Sequence, residues 1–293
     1  TDAALARHVA GIFDTEGADA WFSRPVEELV PKEYACPGCH SRSFERETDI
    51  LDVWFDSGVS YAAVIESEYG AETIPDLYLE GSDQHRGWFH SALLEAVATR
   101  DRAPYKAALT HGFVLDGDGR KMSKSLGNVV APQKIVQQYG ADILRLWVAA
   151  EDYRDDVRIS DEIMRRLADS YRRIRNTARN LLANLYDFNP ARDVAGYASL
   201  AELDRWALGR LATLIKRCRE AYEAYEFHVV YHALNNFCSV DMSALYFDIV
   251  KDRVYCSAAG SPARRGAQTA MQEVLSALAR IVAPIMPFTA DEI

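Results

Sequence analysis

The most informative part of the sequence is His111-Gly-Phe-Val-Leu-Asp-Gly-Asp-Gly-Arg-Lys-Met-Ser-Lys-Ser-Leu-Gly-Asn128. The apolar residues Phe113 to Leu115 predict a strand, and the aspartates and glycines after them predict a tight turn. The loop that follows carries Lys121, Ser123, Lys124 and Ser125. Amides exposed in glycine-rich bends bind anions, and mobile ammonium groups suit a polyphosphate whose charge shifts during a reaction. The alternative is a solvated hairpin whose lysines have no ligand, because loops are normally polar and exposed.

The composition is that of an ordinary globular protein of about two domains. The chain has 293 residues, of which 49% are hydrophobic and 26% are charged. Its formal net charge is −10, so any contact with nucleic acid requires a local basic surface. The sequence contains no secretory signal and no apolar run of membrane length, and its 5 cysteines are few and odd in number. We therefore expect a protein of the reducing cytoplasm that does not bind membranes, and we expect both chain ends to be cuts within a longer protein.

The first 49 residues predict two short helical segments and a metal half-site. Residues 1–30 predict a helix capped by Thr1 or Asp2, a stop at Gly17 and a second helix. In Cys36-Pro-Gly-Cys39, two thiolates on either side of a turn supply half of a tetrahedral zinc site. No second Cys-x-x-Cys pair occurs in the sequence, so the zinc site is incomplete. The alternative is a reduced turn with two unliganded thiols.

Residues 50–150 alternate between strand-like and helix-like segments. We predict a strand within 50–60, a second at 75–80 and a third within 107–115. A helix is predicted over 88–99, with an apolar face of Phe89, Leu93, Leu94 and Val97. Strand, glycine loop and helix in this order are typical of parallel α/β sheets, whose ligands bind at the carboxyl ends of the strands. The prediction is half of a doubly wound, Rossmann-type sheet.

From residue 161 onward the pattern is helical. After a charged connector at 154–159, Ser160 predicts a helix start. Helices are predicted over about 161–187, 201–226, 228–251 and 266–283, and such a set with short links predicts a helical bundle. The first of these helices carries a stripe of exposed-type arginines: Arg165, Arg172 and Arg179, seven residues apart, with Arg166 and Arg173 adjacent. The stripe is either a solvated helix face or a surface for RNA.

Three separated motifs resemble those of one protein family. They are Leu51-Asp-Val-Trp-Phe-Asp-Ser-Gly58, Tyr78-Leu-Glu-Gly-Ser-Asp-Gln-His-Arg-Gly-Trp88 and Lys121-Met-Ser-Lys-Ser125. Their sequences and order resemble the isoleucyl branch of the class I aminoacyl-tRNA synthetases, in which the third motif is the second class signature. The resemblance covers essentially the whole chain, and the helical part is similar to the anticodon-binding domain of that family.

The resemblance implies ATP-dependent activation of isoleucine, with Mg²⁺, and transfer of the amino acid to tRNA(Ile). Lys124, with Lys121 and the two serines Ser123 and Ser125, would stabilise the phosphates as pyrophosphate leaves. The residues that would contact the ATP or the adenylate are Glu80, Gly81, Asp83, Gln84, His111, Val114 and Lys124. The same reasoning makes Arg165, Arg172, Arg173 and Arg179 the candidate tRNA contacts.

The isoleucine side chain would lie against Trp54, Trp88 and Gln84. Each tryptophan is also compatible with an ordinary core position, since pocket walls and cores are built from the same residues. Glu80 and Asp83 have an alternative too, because acids are favourable at a helix N-terminus whether or not a ligand is present.

The resemblance is incomplete, because His-x-Gly-His, the first class signature, does not occur. We expect that signature, an editing domain and a second cysteine pair to lie upstream, and we expect the isolated chain to be inactive. The implied domains are a remnant of a connective insertion at 1–49, the second half of the catalytic domain at 50–150, and a truncated anticodon-binding domain at 151–293. The parent is expected to be a monomer. Two alternatives stay open: a tRNA-binding protein that has lost catalysis, and a synthetase for another branched amino acid.

Overall fold

The computed structural model describes residues 2–293, which form two compact units. The first unit contains the residues up to Thr73 together with Gly87–Pro104, and the second contains Ile74–Arg86 and Tyr105–Ile293. These two units are defined by contacts between residues. The domain boundaries after residues 49 and 150 were predicted from the family resemblance, and they stay predictions. Among residues 2–293, no helix is both long enough and apolar enough to cross a bilayer.

The first unit begins with three helices, where two were predicted: α1 (Ala3–Glu16), α2 (Ala20–Ser23) and α3 (Val26–Leu29). The Asp2 carboxylate caps α1 by accepting hydrogen bonds from the amides of Ala4 and Leu5. Thr1, the other candidate cap, lies outside the described residues. Gly17 ends α1 with a φ of 82°, a conformation that glycine adopts without strain.

The strand predicted within 50–60 is wrong. Helix α4 (Val53–Gly58) occupies this stretch, and a π-helical segment (Tyr61–Glu66) and α5 (Ser67–Tyr69) follow it. The β-branched and aromatic run suggested a strand, but the Asp52 side chain accepts a hydrogen bond from the Trp54 amide and so caps a helix instead. Because Val53, Trp54 and Phe55 are all exposed, packing does not oppose the cap.

Helix α6 (Trp88–Arg100) has the predicted extent, but of its predicted apolar face only Phe89 is buried. The buried residues of α6 are Phe89, Ala92 and Ala96, whereas Leu93, Leu94 and Val97 are exposed. Small side chains face α4 because the two helices pack closely: a Cβ added to Gly58 would lie 2.5 Å from the Glu95 carboxylate. Desolvation in this contact raises the pKa of Glu95, and the nearby Asp56 charge raises it further.

Two small parallel sheets lie in the second unit. Strand β1 (Leu77–Gly81) pairs with β2 (Ala107–His111) in parallel register, from Leu77 opposite Ala107 to Gly81 opposite His111. A 3₁₀ turn (Ser82–Arg86) follows β1 directly. Strand β3 (Val114–Leu115) pairs in parallel with β4 (Val157–Arg158). The strand predicted at 75–80 is confirmed. The single strand predicted within 107–115 is divided at Gly112 and Phe113 into β2 and β3, which belong to different sheets. Strand β4 lies in a stretch that was predicted only as a charged connector.

The remainder of the second unit is helical. Its elements are α7 (Pro132–Tyr139), α8 (Ala141–Ala150), α9 (Asp161–Asn184), a 3₁₀ turn (Tyr197–Ser199), α10 (Glu202–Glu223), α11 (Phe227–Asn236), a π-helical segment (Phe237–Tyr246), α12 (Phe247–Cys256), α13 (Pro262–Val282) and α14 (Pro287–Glu292). The Ser160 hydroxyl caps α9 by accepting a hydrogen bond from the Ile163 amide, as predicted. Helices α11 and α12 are continuous through the π-helical segment, so the predicted four long helices are confirmed.

The bundle is held together by an apolar core and by buried ion pairs, among them that of Asp204. Met164, Leu181, Leu234, Met271 and Leu278 are each at most 1% exposed. The fully buried Asp204 of α10 accepts two hydrogen bonds from the Arg253 guanidinium, at 2.7 and 2.8 Å, and one from the Tyr246 hydroxyl at 2.8 Å. The charge of Asp204 is therefore paired and hydrogen-bonded, the condition under which a buried carboxylate is tolerated.

Candidate functional site

The carboxyl ends of β1 and β2 bring several of the predicted nucleotide contacts together. In parallel strands these ends lie on one edge of the sheet, and Gly81 of β1 is directly opposite His111 of β2. The Glu80 carboxylate is exposed and accepts a hydrogen bond from the Gly81 amide at 3.0 Å. A Cβ on Gly81 would lie 2.6 Å from Asp83 Oδ1, so only glycine permits this approach of the aspartate.

The remaining predicted nucleotide contacts differ in their surroundings. His111 Nδ1 lies 2.8 Å from the Gly112 carbonyl oxygen, which can only accept a hydrogen bond. This contact favours the tautomer in which Nδ1 carries the proton. Gln84 is half-buried in the 3₁₀ turn after β1, and Val114 is exposed at the start of β3. All six predicted nucleotide contacts before the loop belong to the second unit.

Trp54 and Trp88 belong to the first unit. Trp54 is 43% exposed in the first turn of α4, so it is not a core residue of that unit. Trp88 is half-buried at the start of α6, and its indole nitrogen donates a hydrogen bond to the Ser60 hydroxyl at 3.1 Å. Their role as walls of an isoleucine pocket stays a prediction.

We call residues Lys121–Ser125 the signature loop. An antiparallel bridge pairs Leu115 with Lys121, so the loop begins as a hairpin after β3. Gly127, with a φ of 66°, lies just after the loop. The Ser123 and Ser125 hydroxyl oxygens lie 3.1 Å apart, and the Ser123 hydroxyl accepts a hydrogen bond from the Leu126 amide. The Met122 side chain packs against the apolar core of the unit, so it anchors the loop between the two lysines.

Both lysines of the signature loop are available to a ligand. Lys121 and Lys124 are exposed, and within residues 2–293 neither makes an ion pair. The Lys121 ammonium lies 5.7 Å from the centre of the Phe113 ring, a contact that orients the cation without neutralising it. The nearby Arg120, by contrast, is paired with Asp116 and Asp118. Two unneutralised ammonium groups on one loop have the charge that a phosphate ligand requires.

The predicted arginine stripe is exposed along α9. Arg172 pairs with Asp169 of the same helix, whereas Arg165, Arg173 and Arg179 make no ion pair within the described part of the chain. Arg173 also lines a cavity of about 500 Å³. Two residues that sequence reasoning missed, Arg210 and Arg217 of α10, line the same cavity. Their seven-residue spacing, equal to that of the stripe, was the available signal.

Cys36 and Cys39 lie together in the first unit, as predicted from their spacing. Hydrogen bonds from the backbone amides of Cys39 and Gly38 lower the pKa of the Cys36 thiol, so the turn favours the thiolate that zinc requires. No group of three or more metal-binding side chains occurs within residues 2–293. The zinc half-site at Cys36 and Cys39 therefore stays a prediction.

Two family models match the chain. The model of the class I tRNA synthetases (I, L, M and V) matches residues 1–160, and the model of the anticodon-binding domain of tRNA ligase matches residues 204–293. Since the first match covers more than half of its length, the chain belongs to the class I tRNA synthetase family. This confirms the family that the three motifs indicated.

The isoleucyl branch is supported by three relatives. The isoleucine--tRNA ligase of Syntrophotalea carbinolica is 59% identical over 292 residues, which are 100% of this chain and 32% of that protein. The ligase of Geobacter sulfurreducens is 57% identical over the same shares. The ligase of Caldicellulosiruptor saccharolyticus is 57% identical over 98% of this chain and 31% of that protein. The chain thus spans about a third of the length of the curated relatives it matches.

Solved structures support the same fold at lower identity. A leucyl-tRNA synthetase of Agrobacterium radiobacter, solved with tRNA and LeuAMS, matches with a TM-score of 0.68 and 20% identity over 88% of this chain and 32% of that chain. A methionyl-tRNA synthetase of Mycobacterium tuberculosis, solved with methionyl-adenylate, matches with a TM-score of 0.66 and 23% identity over 86% of this chain and 52% of that chain. The fold is therefore a Rossmann-like part followed by a helical domain.

Proposed function

We propose that the chain is the phosphate-binding and tRNA-binding part of an isoleucine–tRNA ligase. The complete enzyme would activate isoleucine with ATP and transfer it to tRNA(Ile). The observation that carries this proposal is the 59% identity to such a ligase over the whole chain. Its support from geometry is the signature loop, whose two exposed lysines are not neutralised by any acid described.

The signature loop would act on the departing pyrophosphate. When the isoleucine carboxylate attacks the α-phosphorus of ATP, the bond to the bridging oxygen breaks and negative charge grows on the pyrophosphate. Lys124 and Lys121 would stabilise that charge, with Ser123 and Ser125 as further donors. Since Mg²⁺ accompanies ATP in such reactions, it would arrive with the substrate and share the neutralisation.

The edge formed by β1 and β2 would bind the other end of the nucleotide. The Asp83 carboxylate is suited to accept hydrogen bonds from the two ribose hydroxyls, and Gly81 allows the backbone to approach them. Glu80 and Gln84 would contact the adenylate near its amino-acid end, and adenine would lie beside His111 and Val114. Trp54 and Trp88 would supply apolar walls for the isoleucine side chain.

The exposed arginines of α9 would bind the tRNA backbone. Guanidinium groups pair with phosphates and stack on bases, and a local basic surface is required because the chain as a whole is acidic. We propose Arg165, Arg172, Arg173 and Arg179 for this surface, and the shared cavity adds Arg210 and Arg217.

We further propose that Cys36 and Cys39 hold zinc together with a second cysteine pair from elsewhere in the complete protein. Zinc would stabilise the local fold and take no part in the chemistry. Since all five cysteines are free, we also propose a reducing, cytoplasmic location. We expect the complete ligase to be a monomer.

The test uses a hybrid ligase: the Syntrophotalea carbinolica enzyme with its matching segment replaced by this chain. We expect isoleucine-dependent ATP–pyrophosphate exchange that exceeds exchange with valine by about 10- to 200-fold, the range known for side chains that differ by one methylene, isoleucine and valine among them. Exchange that prefers valine or leucine would favour another branched amino acid. A hybrid that binds tRNA but shows no exchange would favour a tRNA-binding protein without catalysis.

A further inference from the structure

Two half-buried or buried side chains join the ends of the signature loop. Asp116 lies five residues before Lys121 and is 7% exposed, and Asn128 lies three residues after Ser125. Asn128 Nδ2 donates a hydrogen bond to Asp116 Oδ2 at 2.9 Å across 12 residues of chain. We call this pair and its hydrogen bonds the clasp.

Asp116 fixes the turn that enters the loop. Its Oδ1 accepts hydrogen bonds from the amides of Asp118 at 3.0 Å and Arg120 at 2.8 Å, and its Oδ2 also accepts one from the Arg120 guanidinium at 3.0 Å. A carboxylate that receives this many donors holds the backbone in one conformation, since each donor would otherwise need a separate partner.

Asn128 fixes the loop itself. Its Oδ1 accepts a hydrogen bond from the Ser123 amide at 2.9 Å, and its Nδ2 also donates to the Lys121 carbonyl at 3.3 Å. These two backbone contacts flank Met122, which is anchored in the core. Lys121 and Lys124 are therefore carried on a backbone whose shape is set by the clasp.

We propose that Asp116 and Asn128 are positioning residues, which hold the signature loop so that its lysines and the Ser123 hydroxyl reach the phosphates together. This inference rests on the proposed function for its catalytic consequence, but the clasp itself is a property of this chain. Asp116 and Asn128 would not themselves contact the reacting atoms. A loop without the clasp would keep its charges, but its lysines would no longer point to the phosphates together. Such misplacement lowers the rate of the reaction and leaves the affinity for the amino acid unchanged.

The first experiment measures hydrogen exchange in the 293-residue chain. Asp116→Asn and, separately, Asn128→Ala should raise exchange at the amides of Arg120 and Ser123 by at least about tenfold, with unchanged protection in α9 and α13. The control is Asp252→Asn, an exposed acid of α12 that makes no ion pair within residues 2–293. If Asp116→Asn unfolds the chain, Asn128→Ala decides alone, because it removes no charge. Loop amides that exchange as in the unsubstituted chain would overturn the proposal.

The second experiment measures ATP–pyrophosphate exchange in the hybrid ligase. Both variants should lower kcat by about 10- to 100-fold and leave the KM for isoleucine within about twofold, whereas Asp252→Asn should change neither. The double variant Asp116→Asn with Asn128→Asp exchanges donor and acceptor, so it should recover part of the kcat lost in Asn128→Asp alone. Unchanged kcat in the single variants would refute the positioning role. If the unsubstituted hybrid has no activity, the proposed function is refuted. The clasp is then tested by hydrogen exchange of the loop amides alone.

Discussion

At the scale of single residues, the protonation state of the Asp116 carboxylate should affect how well the signature loop is ordered. Hydrogen bonds from Asn128, from the Arg120 amide and from the Arg120 side chain lower its pKa to about 2, despite the opposing effect of desolvation. The folded-state pKa lies below the ordinary value of 3.8. The clasp therefore contributes order above about pH 4, and this contribution is lost as the pH falls through about 2.

The prediction is that Asp116 titrates at about 2 in the folded chain and that Asn128→Ala raises its pKa toward 3.8. The measurement is the carboxyl carbon chemical shift as a function of pH. Asp193 is the internal control, because Arg192 and the Asn189 amide lower its pKa to about 2 without any contact with the loop. Titration of Asp116 near its ordinary value in the unsubstituted chain would contradict the clasp.

At the scale of elements, prediction succeeded where the cap and the apolar pattern agree, and it failed where local signals conflict or where packing between helices decides. Helix α9 was predictable, because its cap, Ser160, and its seam of buried residues lie within one periodic stretch. Helix α4 was not, because the Asp52 cap outweighs a run of β-favouring side chains that are largely exposed. The leucines predicted for the buried face of α6 are exposed, because alanines fit the close contact with α4.

The site shows the same limit. The residue types of the signature loop and the positions of Glu80 and His111 at strand ends were predictable from motif and pattern. The bond between Asp116 and Asn128 was not, because nothing in the sequence indicates which polar side chains will meet across 12 residues of turn. Arg210 and Arg217 were missed because the predicted stripe was confined to one helix.

The arginine stripe of α9 gives a prediction at this scale. In the hybrid ligase, Arg172→Glu with Arg173→Glu should lower tRNA(Ile) affinity by at least about tenfold and reduce the salt dependence of binding, because phosphate contacts are lost. ATP–pyrophosphate exchange, which requires no tRNA, should stay unchanged. Arg7→Glu with Arg42→Glu, an equal change of charge at exposed residues of the first unit, is the control for net charge. The assignment would be refuted by equal tRNA affinity in both double variants.

At the scale of the whole molecule, the chain combines two compact units with the sequence signals of one active site. It matches about a third of the length of its ligase relatives and lacks the first class signature. Many apolar side chains of the first unit are exposed, among them Leu51, Val53 and Leu94. Exposed apolar surface of this kind usually indicates an interaction partner. We therefore propose that catalysis belongs to the complete enzyme and that this chain supplies part of its nucleotide-binding site.

The central claim is that the strand-end residues and the signature loop hold opposite ends of one ATP. The most direct test is photolabelling of the hybrid ligase with two ATP analogues, one reactive at adenine and one at the γ-phosphate. The account predicts that the adenine analogue labels peptides containing residues 80–86 or 107–115, that the γ-phosphate analogue labels the signature loop, and that ATP suppresses both. Labelling of the loop by the adenine analogue, or labelling by the γ-phosphate analogue elsewhere, would contradict it.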